Sequence, residues 1–279
     1  MKVAVLGTGM IGSALAEAFL QVGYEVVVYN RTAAKTDALV KKGASAAQTP
    51  ADAIKNTDAA FLTVMDAKAV RELLFSDTCK AVLSGKYIAN VATVGANEIA
   101  ELAKDATALG ANMAEYSIKS DAVQVRALET YAFLACTPDH EEFWKGIVQP
   151  IGEVLYVGNT GAAATAVTLN IMEGTLSNVF LAYAVAYAQK EGLPREVVER
   201  AVASVNPAAK DMLTGIFARQ YPGFATLDGF RDTTVVALNA LKAAGLPTAV
   251  FDAILAMYDT ANKKGYGDQG ETALVESLL

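Results

Sequence analysis

The stretch "VLGTGMIGSALAEAFLQVGYEVVVYNRTAAK", residues 5–35, decides the fold. An apolar run of strand length leads into a glycine-rich turn, a helical stretch follows, and a second apolar run ends at Tyr29. In GTGMIG, Gly7 permits a tight turn after the strand, Gly9 lets the backbone approach a pyrophosphate, and Gly12 allows the helix to pack closely on the sheet. Met10 and Ile11 open that helix, whose N-terminus offers unpaired N–H groups and a positive dipole end to phosphates. Strand, turn and helix in this order predict a bound dinucleotide.

Just beyond the second strand, an NAD enzyme usually places Asp or Glu on the ribose hydroxyls. This chain has Asn30, Arg31 and Thr32 there, with Lys35 one turn on. Without a carboxylate there is no repulsion toward a 2′-phosphate, while Arg31 offers a planar donor fork, Thr32 a hydroxyl and Lys35 a second charge. NADPH is therefore the expected cofactor.

From Lys2 to about Val157, strand-length apolar runs alternate with helical stretches: KVAVLG, EVVVYN, AAFLTVM, KYIANVA, ANMAEYS, TYAFLACT and EVLYVG. That alternation predicts an α/β class: a doubly wound parallel sheet over residues 1–160 with helices on both faces. After YVGNTG no strand-like run follows, and residues 161–279 read as an all-helical domain. It opens with one long apolar helix from Ala162 to about Lys190, stopped by Gly192 and Pro194 and expected to join the two domains. Thr165, Thr168, Asn170, Glu173, Ser177 and Asn178 punctuate this helix too often for a membrane span. At about 43 Å it outreaches a small domain. Being apolar on most sides, it needs cover on most sides, and a second subunit is the natural source.

The 279 residues carry a formal net charge of −7 with no clustered basic stripe, which argues against nucleic acid or an anionic membrane as partner. A small molecule is the expected partner instead. Two distant cysteines, Cys79 and Cys136, give neither a disulfide framework nor a metal spacing, and no metal is expected. With MKVAVLG running straight into a strand, the expected location is the cytoplasm. His140, the sole histidine, reads as a surface residue at a helix start, and Trp144 as a packing residue.

GTGMIG, YNRTAAK, the long helix and GYGDQGETAL near the C-terminus together resemble the β-hydroxyacid dehydrogenase superfamily, whose architecture imine reductases share. The resemblance runs nearly end to end. It implies an NADPH-dependent reductase whose helical domains interlock in a homodimer, with the site in an apolar cleft between the domains. Val64 and Met65, in the strand and loop flanking the cofactor, and Thr93, in the loop after YIAN, correspond to cofactor-side positions; Thr93 also reaches toward substrate. Ser120 in YSIKSDA matches the serine of a substrate-binding serine-glycine-glycine loop, with Asp121 and Ala122 replacing the glycines. FATLDGFRD resembles a stretch with a cofactor-side Phe and a basic-acid pair, giving Phe224, Arg231 and Asp232.

The long helix departs from the pattern. Val167 stands where hydroxyacid dehydrogenases carry a proton-transferring Lys and imine reductases usually carry Asp or Tyr. Ile171 replaces the accompanying Asn, and Thr175 falls where imine reductases have a Tyr. Hydride reduction of a ketone creates an alkoxide that needs a proton and a positive charge, and valine supplies neither. Reduction of a C=N bond is the reading that fits best, with Tyr116, Lys119, Asp121 and Asp232 as acid-base candidates. A 3-hydroxyacid or semialdehyde dehydrogenase using Lys119 for the proton is the alternative. A low-turnover NADPH-binding sensor or scaffold is the third.

Overall fold

The computed structural model describes every residue except 208, 222 and 224. Phe224 therefore lies outside the described residues. The chain divides into two compact units, Met1–Val167 and Thr168–Leu279. The division falls inside the long helix, whose first turn is held to the sheet by a buried carboxylate, as described below.

The first unit contains β1 (Lys2–Leu6), α1 (Met10–Gln21), β2 (Glu25–Tyr29), α2 (Asp37–Val40), β3 (Ser45–Ala46), α3 (Pro50–Lys55) and β4 (Ala59–Leu62). It continues with α4 (Ala67–Leu74), α5 (Asp77–Lys80), β5 (Tyr87–Asn90), α6 (Ala96–Ala108), β6 (Asn112–Ile118), α7 (Ala122–Arg126), β7 (Thr130–Ala135), α8 (Glu141–Val148) and β8 (Gly152–Gly158). All seven apolar runs form strands, and the short β3 joins them as an edge. The order is β3-β2-β1-β4-β5-β6-β7-β8. The chain thus reverses direction across the sheet between β1 and β4, the place where open α/β sheets bind ligands.

Side chains alternate along each strand, so one sheet builds two cores. Val3 and Val5 pack with Phe19, Phe61, Tyr116 and Trp144 under α1, α7 and α8. Ala4 and Leu6 pack with Ile54, Val70, Leu74, Ile88, Ile99 and Leu102 under α3, α4 and α6. Trp144 is a packing residue, meeting Phe61 and Tyr87 edge-on.

One pairing differs from the expected parallel sheet: β7 runs antiparallel to β6. The link from Lys119 to Glu129 is too short for a parallel crossover, which needs a dozen or more residues. It turns back through α7 and through Leu128 at φ 62°.

The second unit receives most of α9 (Ala162–Lys190), with α10 (Arg195–Ala203), α11 (Ala209–Ala218), α12 (Leu227–Ala243) and α13 (Ala249–Lys263). Leu181, Val185, Leu213, Leu227, Ile254 and Tyr258 form its core. No helix among the described residues is long and apolar enough to cross a membrane.

Candidate active site

The glycine turn is built as its spacing demands. Gly7 sits at φ 107°, in the left-handed region. A Cβ on Gly12 would lie 2.0 Å from the Gly7 carbonyl oxygen, so only glycine lets α1 start this close to the turn. Gly9, the N-cap of α1, has no such neighbour within 4 Å. Open space at a helix N-terminus without a side-chain cap is a cradle that fits a phosphate. Thr63 pins the turn from below by donating its hydroxyl to the Gly7 and Leu6 carbonyls. Ile11 and Val64 are half-buried, whereas Met10 and Met65 are 75% and 87% exposed, which leaves apolar surface for a ligand to cover.

Beside the turn, the Asn30 side chain accepts from Thr8 N–H at 3.1 Å and donates to the Thr32 carbonyl at 3.0 Å. Arg31, Thr32 and Lys35 are exposed. Among the described residues neither cation's side chain has a partner, so both are available to an anion.

A cavity of about 60 Å³ opens at the carboxyl ends of β5 and β6, lined by Val91, Ala92, Thr93, Val94, Glu115, Ser117, Ile118, Lys119, Ala164 and Val167. Four features shape it. Asn90, buried at the end of β5, donates its amide to the Ala92 carbonyl at 2.8 Å and fixes the turn that presents Thr93. Alternation along β6 puts Glu115, Ser117 and Lys119 on one face. Lys119 is exposed at the rim of the cavity, and partial desolvation there pushes its ammonium below the ordinary lysine range. Val167, in the second turn of α9, turns an apolar surface toward the same space.

Glu115 is the residue that sequence reading missed. Its carboxylate is buried and accepts the Gly161 N–H and the Ala164 N–H, the latter at 2.7 Å. It thus holds the first turn of α9 against the sheet and complements the positive helix end. Burial pushes its carboxyl above the ordinary glutamate range, and bonds from Gly161, Ala164 and Ala163 pull it back. Its alternation with Ser117 in AEYS places it on the cavity face of the strand, but its partners are backbone N–H groups that leave no mark in the sequence.

Several expected residues do not reach the cavity. Tyr116 points to the opposite face of β6, where it is buried edge-on against Phe61 and burial raises its phenol pKa. The Ser120 hydroxyl is spent inside the β6–β7 turn, accepting from Tyr131 N–H at 2.7 Å and donating to the Glu129 carbonyl at 3.3 Å. Because β6 continues to Ile118, Lys119 rather than Ser120 stands at its cavity end. Asp121 caps α7, accepting from Val123 and Gln124 N–H.

In the second unit, Arg231 donates to Asp259 at 2.7 Å and lies 3.5 Å from the exposed Asp232. Thr175 is buried, with its hydroxyl 3.1 Å from that of Thr234. Glu173 is exposed. His140 is half-buried, its Nδ1 3.3 Å from the Tyr87 hydroxyl. Among the described residues no cluster of His, Cys, Asp and Glu could hold a metal ion.

Comparison with known proteins agrees with this geometry. Residues 2–159 match the family described as the NAD binding domain of 6-phosphogluconate dehydrogenase. The cytokine-like nuclear factor N-PAC of Homo sapiens is 32% identical over 122 residues, 43% of this chain and 22% of that protein. The match thus spans about a fifth of that relative's length. A 3-hydroxyisobutyrate dehydrogenase from Salmonella typhimurium superposes with a TM-score of 0.83 at 21% identity, over 99% of each chain. An imine reductase from Myxococcus stipitatus in complex with NADP+ gives 0.67 at 26% identity, over 100% of each chain. With the glycine turn, the strand order and the long helix all in place, the chain belongs to the family described as the NAD binding domain of 6-phosphogluconate dehydrogenase, within the β-hydroxyacid dehydrogenase superfamily.

Proposed function

We propose that the protein is an NADPH-dependent imine reductase, acting on a carbon–nitrogen double bond at the cavity between β5 and β6. The observation that carries this reading is the company of Lys119 and Val167 in one cavity wall. Among the lining residues Lys119 is the sole cation, and α9 contributes only Ala164 and Val167. A C=N nitrogen takes one proton and leaves as a neutral amine. A carbonyl oxygen needs a proton and a stabilising charge together.

The residues present fit the cofactor. Gly7, Gly9, Met10, Ile11 and Gly12 would hold its pyrophosphate at the α1 N-terminus. Asn30, Arg31, Thr32 and Lys35 would take the 2′-phosphate ribose, and Val64, Met65 and Thr93 the nicotinamide side. Bound there, NADPH supplies the hydride. Lys119 Nζ holds the proton destined for the substrate nitrogen, the Thr93 hydroxyl orients the substrate, and Val91, Val94, Ala164 and Val167 exclude water.

NADPH consumption with a panel of cyclic imines, amine-plus-ketone mixtures, and three- and four-carbon hydroxyacids and semialdehydes tests the reading. Turnover of imines alone is expected. Turnover of the oxygen substrates alone would overturn it in favour of a hydroxyacid or semialdehyde dehydrogenase, a second reading that the Lys119 cation itself supports. Tight NADPH binding without turnover of either class would make the protein a binding module. Val167→Lys restores a second cation to the wall and is expected to raise carbonyl reduction about tenfold or more relative to imine reduction. An unchanged ratio would mean that position 167 does not face the reacting atoms.

The partner follows from α9. Leu169, Leu176, Phe180, Tyr183 and Tyr187 are exposed large apolar residues. Their heptad-like spacing puts them on one stripe opposite the buried Leu181, Ala182 and Val185. A second copy of the chain is the proposed cover, making an intertwined homodimer. Leu176→Glu with Phe180→Glu should shift the mass measured by light scattering from dimer to monomer, and a monomeric parent protein would overturn the assignment. Free, buried Cys79 and Cys136 suit work in a reducing cytoplasm.

A further inference from the structure

Thr8 is the middle residue of the glycine turn, and it is buried. Its three polar groups are all engaged. The N–H donates to Asn30 Oδ1 at 3.1 Å, the hydroxyl donates to the Lys35 carbonyl at 3.1 Å, and the carbonyl accepts the Ser13 hydroxyl at 3.0 Å. Asn30 in turn donates to the Thr32 carbonyl, and that carbonyl also accepts the Lys35 N–H, each at 3.0 Å. Both ends of segment 30–35 are therefore fastened to the glycine turn, one through Asn30 and the other through the Thr8 hydroxyl.

That segment carries Arg31 and Lys35, whose side chains are exposed. Two long, free cations discriminate one phosphate only when the backbone beneath them is fixed in advance, since binding otherwise also has to order the loop. We propose that Thr8 is a positioning residue for cofactor discrimination: through its hydroxyl it sets the place of Lys35, and with Asn30 that of Arg31, relative to the pyrophosphate turn. The proposal rests on the reading of Arg31 and Lys35 as ligands of the 2′-phosphate. It separates two tasks within one short motif. The glycines accept the part of the cofactor that NADH and NADPH share, and the residue between them transmits that position to the part in which they differ.

The test uses the full-length protein and the dissociation constants of NADPH and NADH, read from nicotinamide fluorescence. Thr8→Val keeps the volume and removes the hydroxyl. It should lower the NADPH-to-NADH preference about fivefold, the usual net worth of one hydrogen bond, with NADH binding nearly unchanged. Thr8→Ser keeps the hydroxyl and should restore the preference. In an Arg31→Ala, Lys35→Ala background, Thr8→Val should no longer change the preference, because the groups it positions are gone.

Equal weakening of both cofactors by Thr8→Val would show a merely structural role and overturn the proposal, as would an unchanged preference. The two readings fail differently. If Arg31→Ala with Lys35→Ala removes the preference for NADPH and Thr8→Val does not alter it, Thr8 alone is wrongly assigned. If the double replacement weakens both cofactors alike, the phosphate reading falls and takes the Thr8 proposal with it.

Discussion

Replacing Lys119 by methionine lowers kcat for imine reduction about 10²- to 10⁴-fold, the usual contribution of a positioned general acid, while NADPH affinity stays nearly the same. The size follows from the scarcity of alternatives. Tyr116 is packed on the other face of β6, Asp121 is spent capping α7, and Ser120 closes a turn. Glu115 is committed to the backbone N–H groups that open α9, so Lys119 is the proton-bearing group left in the wall. The pH dependence has a definite sign. The protonated amine is the donor, so kcat falls as pH rises through the Lys119 pKa. Partial desolvation at the cavity rim holds that pKa below the ordinary lysine range, so the alkaline limb begins lower than a fully solvated lysine would place it. Lys119→Arg keeps the charge on a group of higher pKa and should push the limb upward. A methionine variant with intact kcat, or a profile without an alkaline limb, would remove Lys119 from the chemistry.

Much of this fold is legible in the sequence. Period-2 apolar runs, a glycine turn between strand and helix, and Gly192 with Pro194 fix elements by local physics, and all seven runs and the α9 boundaries are where they predict. The antiparallel β7 was not legible, because its cause is the length of a link between strands whose ends were uncertain by a few residues. That uncertainty also decided the site. Ending β6 at Ser117 makes Lys119 and Ser120 equivalent loop residues, whereas ending it at Ile118 puts Lys119 at the cavity and Ser120 into the turn. Glu115 was hidden for another reason. Its partners are backbone N–H groups of residues 161 and 164, which carry no sequence signature of their own. Thr8 was hidden likewise, since its partners are backbone groups and one amide side chain.

Arg31→Ala is expected to raise the NADPH dissociation constant about 10- to 100-fold, the span of charge-assisted hydrogen bonds, and to leave that of NADH nearly unchanged. Asn30 stands where a carboxylate would repel a phosphate, and its side chain is committed to Thr8 and Thr32. Discrimination therefore falls to the neighbours that remain free. Arg31 presents a planar fork that can make two bonds at once, whereas Lys35 offers a single point charge, so the larger loss belongs to Arg31. Both cations are exposed, and salt should screen them: raising ionic strength should narrow the gap between NADPH and NADH in the parent protein and much less in the variant. Isothermal titration with each cofactor at two salt concentrations measures both effects. A variant that binds the two cofactors with equal loss would mean that Arg31 supports the segment rather than the phosphate.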